Sequence, residues 1–241
     1  MNDAKKQYLL KELSVFFPAY NEEENIQNTV EEAVKVLKDA AKNWEIIVVN
    51  DGSKDKTGKI VEKLIKKYPQ NVKMITHNPN RGYGAALKSG LYSSKYKYIA
   101  FTDSDGQFKF DEIYNLISSL KENTADIVIG YRIKRMDPLS RVILASMLKI
   151  WNLIWYGVWF KDADCAFKLF KKEIIDEIPP LKTESAITTT EFLIRAKKAG
   201  FKFAQVGVHH YPRTAGTQTG SNPKVILKAA KDSLKLWKAL H

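Results

Sequence analysis

The sequence predicts an α/β fold with a mostly parallel sheet covered by helices on both faces. Three observations carry that prediction. Apolar runs rich in Val, Ile and Phe recur through the first half of the chain. Segments with helical apolar spacing lie between them, an alternation that builds parallel sheets. The polar motifs fall at the ends of the apolar runs, where ligands of such sheets bind.

The elements follow in order. "LSVFFPAY" reads as the first strand, and from Glu22 onward Ile26, Val30, Ala33, Val34, Leu37 and Ala41 keep helical spacing. "WEIIVVN" is the second strand, followed by a helix carrying Ile60, Val61, Leu64, Ile65 and Tyr68. "VKMITH" is the third strand, and a helix starts near Gly84. "YKYIAFTD" is the fourth. A helix near Asp111 carries Ile113, Leu116, Ile117 and Leu120, and "ADIVIG" is the fifth strand. A late strand precedes His209 and His210.

The second half changes character. Arg132 to Arg141 is basic and turn-rich, and "VILASMLKIWNLIWYGVWF" at 142–160 is long enough to be weighed as a membrane span. Ala145, Lys149, Asn152 and Tyr156 recur every three or four residues as a narrow polar stripe. That pattern points to an amphipathic segment at a membrane interface, with a core helix as the other reading. Near the C-terminus, Lys224, Lys228, Lys231, Lys235 and Lys238 line one helical face, with Val225, Ile226, Leu234 and Trp237 on others. A basic amphipathic helix is expected either at a membrane surface or packed on the body. These boundaries give a catalytic unit at 1–215, containing an interfacial segment at 134–160, and a basic helix at 216–241.

Composition narrows the classes. Lys and Arg number 39 against 27 Asp and Glu, a net charge of +12. Nucleic acid, anionic lipid, a polyanionic substrate or simple solubility each account for that excess. Aromatic and basic residues do not interleave as an RNA-binding sheet face requires, so no nucleic-acid partner is expected. Cys165 is the one cysteine, which excludes an intrachain disulfide and a Cys-based zinc site and suits a reducing compartment. "MNDAKKQYLLKELSVFF" is too polar to read as a signal peptide.

The strand-end motifs carry the chemistry. In "FTDSDGQF", Asp103, Asp105 and Gln107 offer hard oxygen ligands, suited to Mg²⁺ or Mn²⁺. Such an ion completes its shell with water and substrate phosphate, so the motif points to a metal–diphosphate complex. Asp51 in "NDGS" is placed either to accept hydrogen bonds from a base or ribose, or to cap its own turn through Ser53 or Thr57. Pro18, Ala19 and Tyr20 form a rigid turn with an aromatic face. Gly82 and Gly84 let backbone approach a ligand at a helix N-terminus.

Together "FFPAYNEEENI", "IIVVNDGSKDKT", "NRGYGAALKSG", "TDSDGQF" and "DADCAFKLFKKEII" resemble the family 2 glycosyltransferases. The branch is that of dolichol-phosphate mannose synthase and the polyprenyl-phosphate glycosyltransferases. The resemblance spans about residues 12 to 215. It implies a GT-A (Rossmann-like) fold, a nucleotide-sugar donor of the GDP-mannose or UDP-glucose class, Mg²⁺ or Mn²⁺, and an inverting displacement. It implies donor-nucleotide contacts from Pro18, Ala19, Tyr20, Glu22, Asp51, Gly82 and Asp103, and a metal site at Asp103, Asp105 and Gln107. Catalytic roles fall to Asp105, Arg132 and Arg213, with Arg213 meeting the donor diphosphate. Arg132, Arg135, Arg141 and Lys168 are the expected acceptor-phosphate contacts. Two positions depart from the family pattern: Asn50 stands where an acid is usual, and Gly106 stands where mannose synthases often carry Leu.

A lipid phosphate is already anionic, so it attacks without a general base, whereas a hydroxyl acceptor needs one. The expected function is therefore hexose transfer to a polyprenyl or dolichyl phosphate by a peripheral enzyme at the cytoplasmic membrane face. One alternative is a saccharide hydroxyl acceptor, with Glu184, Glu191 or Asp105 as base. Another is a nucleotide- or RNA-binding protein without transferase activity. One of His209 and His210 either meets the metal or diphosphate or serves as a structural histidine.

Overall fold

A computed structural model describes residues 8–133, 150, 151, 153–213, 215, 216 and 223–240. Apolar residues alternate between two cores. On the first strand, β1 (Leu10–Ala19), Phe17 joins one cluster and Phe16 the other. On the second, β2 (Ala41–Asn50), Ile46 and Val48 face one way and Ile47 and Val49 the other. A strand that buries both faces needs a helix layer on each side. The first layer contains α1 (Ile26–Ala40), α2 (Thr57–Lys67) and α4 (Ile113–Glu122). The second contains α3 (Tyr83–Ser93), α6 (Thr188–Lys198) and α7 (Pro223–Leu240). The short α5 (Glu173–Glu177) buries Ile174 in that same second core.

The remaining strands are β3 (Val72–Thr76), β4 (Tyr98–Phe101), β5 (Ile127–Arg132), β6 (Lys168–Lys171) and β7 (Phe203–Val208). Among the described residues they form one sheet in the order β3-β2-β1-β4-β6-β5-β7. All pairings are parallel except those of β6, which runs antiparallel to both β4 and β5. The expected α/β class with a mostly parallel sheet holds. Chain order reverses at β1, which lies between β2 and β4, so the carboxyl ends of these three strands open on a common crevice.

Of the expected polar stripe at 142–160, the structure describes Tyr156. Ala145, Lys149 and Asn152 lie outside the described residues. Tyr156 is buried, and its hydroxyl donates to the Ser233 carbonyl of α7 at 3.0 Å. Trp151 packs on Trp155, and Trp155 on Trp237 of α7, with ring centroids 5.2 and 5.1 Å apart. Ile150, Leu153, Ile154 and Trp159 stay exposed. On α7, Leu236 is buried while Lys228, Lys231, Lys235 and Lys238 are exposed.

Candidate active site

The crevice is built from loops that lace onto one another. The Asn21 amide donates to Ser53 Oγ at 3.0 Å, and the Glu22 amide to Thr57 Oγ1 at 2.8 Å. The Lys54 amide donates back to Asn21 Oδ1 at 2.8 Å. These bonds fix the turn holding Pro18, Ala19 and Tyr20. Ser104 Oγ donates to the Pro18 carbonyl at 2.7 Å, tying the end of β1 to the loop after β4. Asn50, the residue that departs from the family acid, accepts from the Ser53 amide at 3.0 Å.

Asp51 is buried and does not cap its own turn. Its Oδ1 meets His77 Nδ1 at 2.6 Å and accepts from the Arg81 amide at 3.0 Å. Its Oδ2 accepts from Asn80 Nδ2 at 2.8 Å and from the Gly82 amide at 2.7 Å. His77 Nε2 in turn meets Ser89 Oγ at 2.8 Å. Four donors match the acceptor capacity of a carboxylate. The side chain therefore staples the 77–82 loop and the start of α3 into the crevice. Gly82 has φ 97, a backbone state that disfavours a side chain. A Cβ on Gly84 would come within 2.5 Å of the Glu184 carbonyl carbon, so α3 sits directly on the 183–188 loop.

Beyond β4 stand the paired carboxylates. Asp103 is half-buried and accepts from the Tyr83 hydroxyl at 3.1 Å. Burial, and then the charge of Asp105, push the Asp103 carboxyl up to about 7. Asp105 is buried; its Oδ1 accepts from the Gln107 amide at 3.1 Å, and its Oδ2 lies 3.4 Å from Arg213 Nη1. Arg213 Nη2 also donates to Glu22 Oε1 at 2.5 Å. Burial raises the Glu22 carboxyl against the pull of Asn25 and Arg213. Gln107 Nε2 donates to the Tyr211 carbonyl at 3.0 Å, and the Tyr211 amide returns a bond to Gln107 at 2.9 Å. The segment carrying Arg213 is thus pinned beside the carboxylate loop.

Burial and then the Asp105 charge raise the Asp103 proton affinity, so the pair is short of positive charge, and with the Gln107 amide it offers hard oxygens that fit a divalent cation. No group of three or more His, Cys, Asp or Glu side chains with metal-site spacing occurs among the described residues. The cage is therefore partial. Asp103, Asp105 and the Gln107 Oε1 would contribute the protein's oxygens, and water and phosphate the rest.

The expected acceptor side starts at Arg132. Its Nε donates to Asp162 Oδ2 at 2.7 Å and its Nη2 to Asp162 Oδ1 at 2.8 Å, a bidentate pair with both side chains buried. Arg135 and Arg141 lie outside the described residues. Lys168, expected at the acceptor phosphate, has a different geometry. It is fully buried, its ammonium donates to the carbonyls of Ala163 and Cys165, and it lies 5.5 Å from the Phe101 ring centroid. Burial lowers its affinity for a proton. The reason is register: Lys168 pairs with Phe101 and Ile129 in mid-sheet, so its side chain emerges beneath the 162–165 loop.

The spare carboxylates are also committed. Glu191 is fully buried and accepts from the Lys182 and Thr183 amides, the Thr183 hydroxyl and Arg195 Nε. Glu184 pairs with Arg81 at 3.0 Å and Lys88 at 3.1 Å. His209 meets Glu112 at 3.1 Å, and His210 packs on Phe108. Sequence reasoning gave no individual site role to Tyr83, His77, Asn80 or Asp162. Asn80, Tyr83 and Asp162 nonetheless stand inside the quoted family motifs, and only His77 lies outside them.

The profile of glycosyl transferase family 2 matches residues 14–178, well over half of the chain. The chain belongs to this family. A dolichyl-phosphate beta-glucosyltransferase of Dictyostelium discoideum is 34% identical over 217 residues, covering 82% of this chain and 65% of that protein. The chain thus spans just under two thirds of that relative's length. An uncharacterized protein of Methanocaldococcus jannaschii is 34% identical over 232 residues, covering 90% of this chain and 96% of that one. The fold is shared with glucosyl-3-phosphoglycerate synthase from Mycobacterium tuberculosis, solved with Mn²⁺, UDP-glucose and phosphoglyceric acid. The TM-score is 0.70 at 16% identity, over 95% of this chain and 80% of that one. The GT-A expectation agrees with this likeness.

Proposed function

We propose that this family 2 glycosyltransferase moves glucose from UDP-glucose to the phosphate of a polyprenyl or dolichyl lipid, with inversion at the anomeric carbon. The observation that carries the reading is the carboxylate pair Asp103 and Asp105 with arginines on either side. Arg213 reaches Asp105, and the charge of Arg132 acts on Asp103. Two polyanions brought together need such cations. The Dictyostelium relative, a dolichyl-phosphate beta-glucosyltransferase, supports glucose over mannose and a lipid phosphate over a soluble acceptor.

A phosphate oxygen of the lipid attacks C1 of the sugar while the C1–O bond to the diphosphate breaks, and its electron pair departs with UDP. Pro18, Ala19, Tyr20 and the loop stapled by Asp51 hold the nucleoside. Asp51 acts through that loop, since its oxygens already serve four protein donors. Arg213 exchanges its contacts with Glu22 and Asp105 for the donor diphosphate. Arg132, with Arg135 and Arg141, receives the lipid phosphate. A divalent cation, when bound by Asp103, Asp105 and Gln107, supplies charge neutralisation on the leaving diphosphate. No base is required, which fits the sealed state of Glu191 and the ion-paired state of Glu184.

Residues 1–215 form the catalytic unit. The exposed Ile150, Leu153, Ile154 and Trp159, with the lysines of α7, bring it to the cytoplasmic face of a membrane as a peripheral protein. No described helix is long and apolar enough to cross one.

Thermal-shift screening of nucleoside diphosphates tests the donor half. UDP with Mn²⁺ or Mg²⁺ should stabilise the wild type, and Asp105→Ala should lose the response. Equal stabilisation of both proteins refutes the metal assignment. Transfer from UDP-glucose to short-chain polyprenyl phosphate, with no transfer to soluble sugars, is the expected outcome for the acceptor half. The opposite preference overturns it.

A further inference from the structure

We infer that Asp162 and Lys168 are positioning residues that aim the Arg132 guanidinium at the acceptor phosphate. The inference rests on the transferase reading above. Three observations build it.

First, the Arg132–Asp162 contact is a two-point fork. Both oxygens of Asp162 engage, at 2.7 and 2.8 Å, and its Oδ2 also lies 3.4 Å from the Arg132 amide. A planar guanidinium held at two nitrogens has a fixed plane, which a single contact does not give.

Second, Asp162 lies in a short loop with no regular secondary structure to hold it. The Cys165 amide donates to the Asp162 carbonyl at 3.2 Å and closes a turn. The ammonium of Lys168 then gathers the carbonyls of Ala163 and Cys165 from below. A buried ammonium has three donors to satisfy, and two of them go to this turn. Lys168 thus sets the turn's height over the sheet, and the turn sets the reach of Asp162.

Third, Lys168 has no exposed surface, so it serves a headgroup through the turn and not by touching it. Arg132 ends β5 and Lys168 begins β6, so both ends of the device stand on the sheet. An arginine oriented from rigid strands orders less on meeting its ligand than one on a loop.

The test measures two affinities in four proteins: wild type, Asp162→Asn, Lys168→Met and the double variant. UDP with Mn²⁺ is titrated by thermal shift, and a short-chain polyprenyl phosphate by calorimetry. All four proteins should keep the UDP–Mn²⁺ response, which also shows that they are folded. Each single variant should weaken lipid-phosphate binding about tenfold, and the double variant should be no weaker than either single one. Unchanged lipid-phosphate affinity in Asp162→Asn overturns the inference. So does a double variant whose loss is the product of the two, because Lys168 would then act independently of the turn. If Lys168→Met fails to fold, the cycle is run with Asp162→Asn and Arg132→Gln. A double variant no weaker than Arg132→Gln supports the inference, and multiplied losses overturn it. Failure of the donor reading is a separate result, seen when the wild type itself gives no UDP–Mn²⁺ response.

Discussion

Replacing Asp103 with Asn should make the ligand-free protein more stable at alkaline pH while removing its response to metal and nucleotide. The Asp103 carboxyl is pushed up to about 7 from an ordinary 3.8. That gap of roughly three pH units, at 1.36 kcal/mol each, is about 4 kcal/mol. Asp103 is only half-buried, so solvent screening brings the figure to about 2 kcal/mol. The sign follows from linkage. Between about pH 4 and 7 the unfolded chain has lost this proton and the folded chain keeps it, so folding stability falls as pH rises through that window. Above pH 7 the folded protein carries the whole penalty, and Asn relieves it while still accepting from Tyr83. The variant should therefore melt about 4–8 °C higher than wild type at pH 8, and the two should nearly coincide at pH 4. Thermal denaturation at both pH values reads this. In the same assay at pH 8, Mn²⁺ with UDP should stabilise the wild type and leave the variant unmoved. A variant no more stable than wild type at pH 8 would refute the charge-deficit argument for this site.

Further outcomes test other parts of the structure. Glu191→Ala should destabilise by about 3–5 kcal/mol, because it strands buried Arg195 and two loop amides; urea denaturation measures it. Those bonds hold the wild-type Glu191 carboxyl below its usual range. Its contribution should therefore be full at neutral pH and fade as pH falls through that lowered value. Asp51→Ala should weaken UDP binding at least tenfold and speed amide exchange at Arg81 and Gly82, since both amides lose their acceptor. Tyr156→Phe should remove about 1 kcal/mol and accelerate exchange across α7, with little change in UDP affinity. Lys231→Glu with Lys235→Glu should reduce sedimentation with vesicles containing anionic phospholipid, most clearly at low salt.

Much of the sheet was legible because β1 and β2 are long apolar runs whose burial on both faces leaves no polar alternation to confuse them. The structure shifts only the edges. The first helix ends at Ala40 and β2 begins at Ala41 with no connecting loop. β6 escaped notice because four residues, two of them lysines, give no period, and its direction depends on partners 70 residues upstream in β4. α6 escaped because nearly all of its residues are buried, which leaves no amphipathic stripe, and its first turn is a run of β-branched threonines. In the site, the spacing of Asp103, Asp105 and Gln107 announced itself. The Asp51 staple did not, because its donors come from a loop 26–31 residues away. The Arg132–Asp162 fork was invisible for the same reason, joining residues 30 apart.

The odd direction of β6 divides the labour of the molecule. β3, β2, β1 and β4 carry the loops proposed to hold the nucleotide, and β5 and β7 carry Arg132 and the segment leading to Arg213. Among the described residues, the two sets join in the sheet only through a four-residue ribbon running against its neighbours. A lineage adapting to a different recipient can rework the far set and leave the near one intact, provided that ribbon keeps its hydrogen-bonded rungs. Grafting experiments between relatives should accordingly cut on either side of it and never within it.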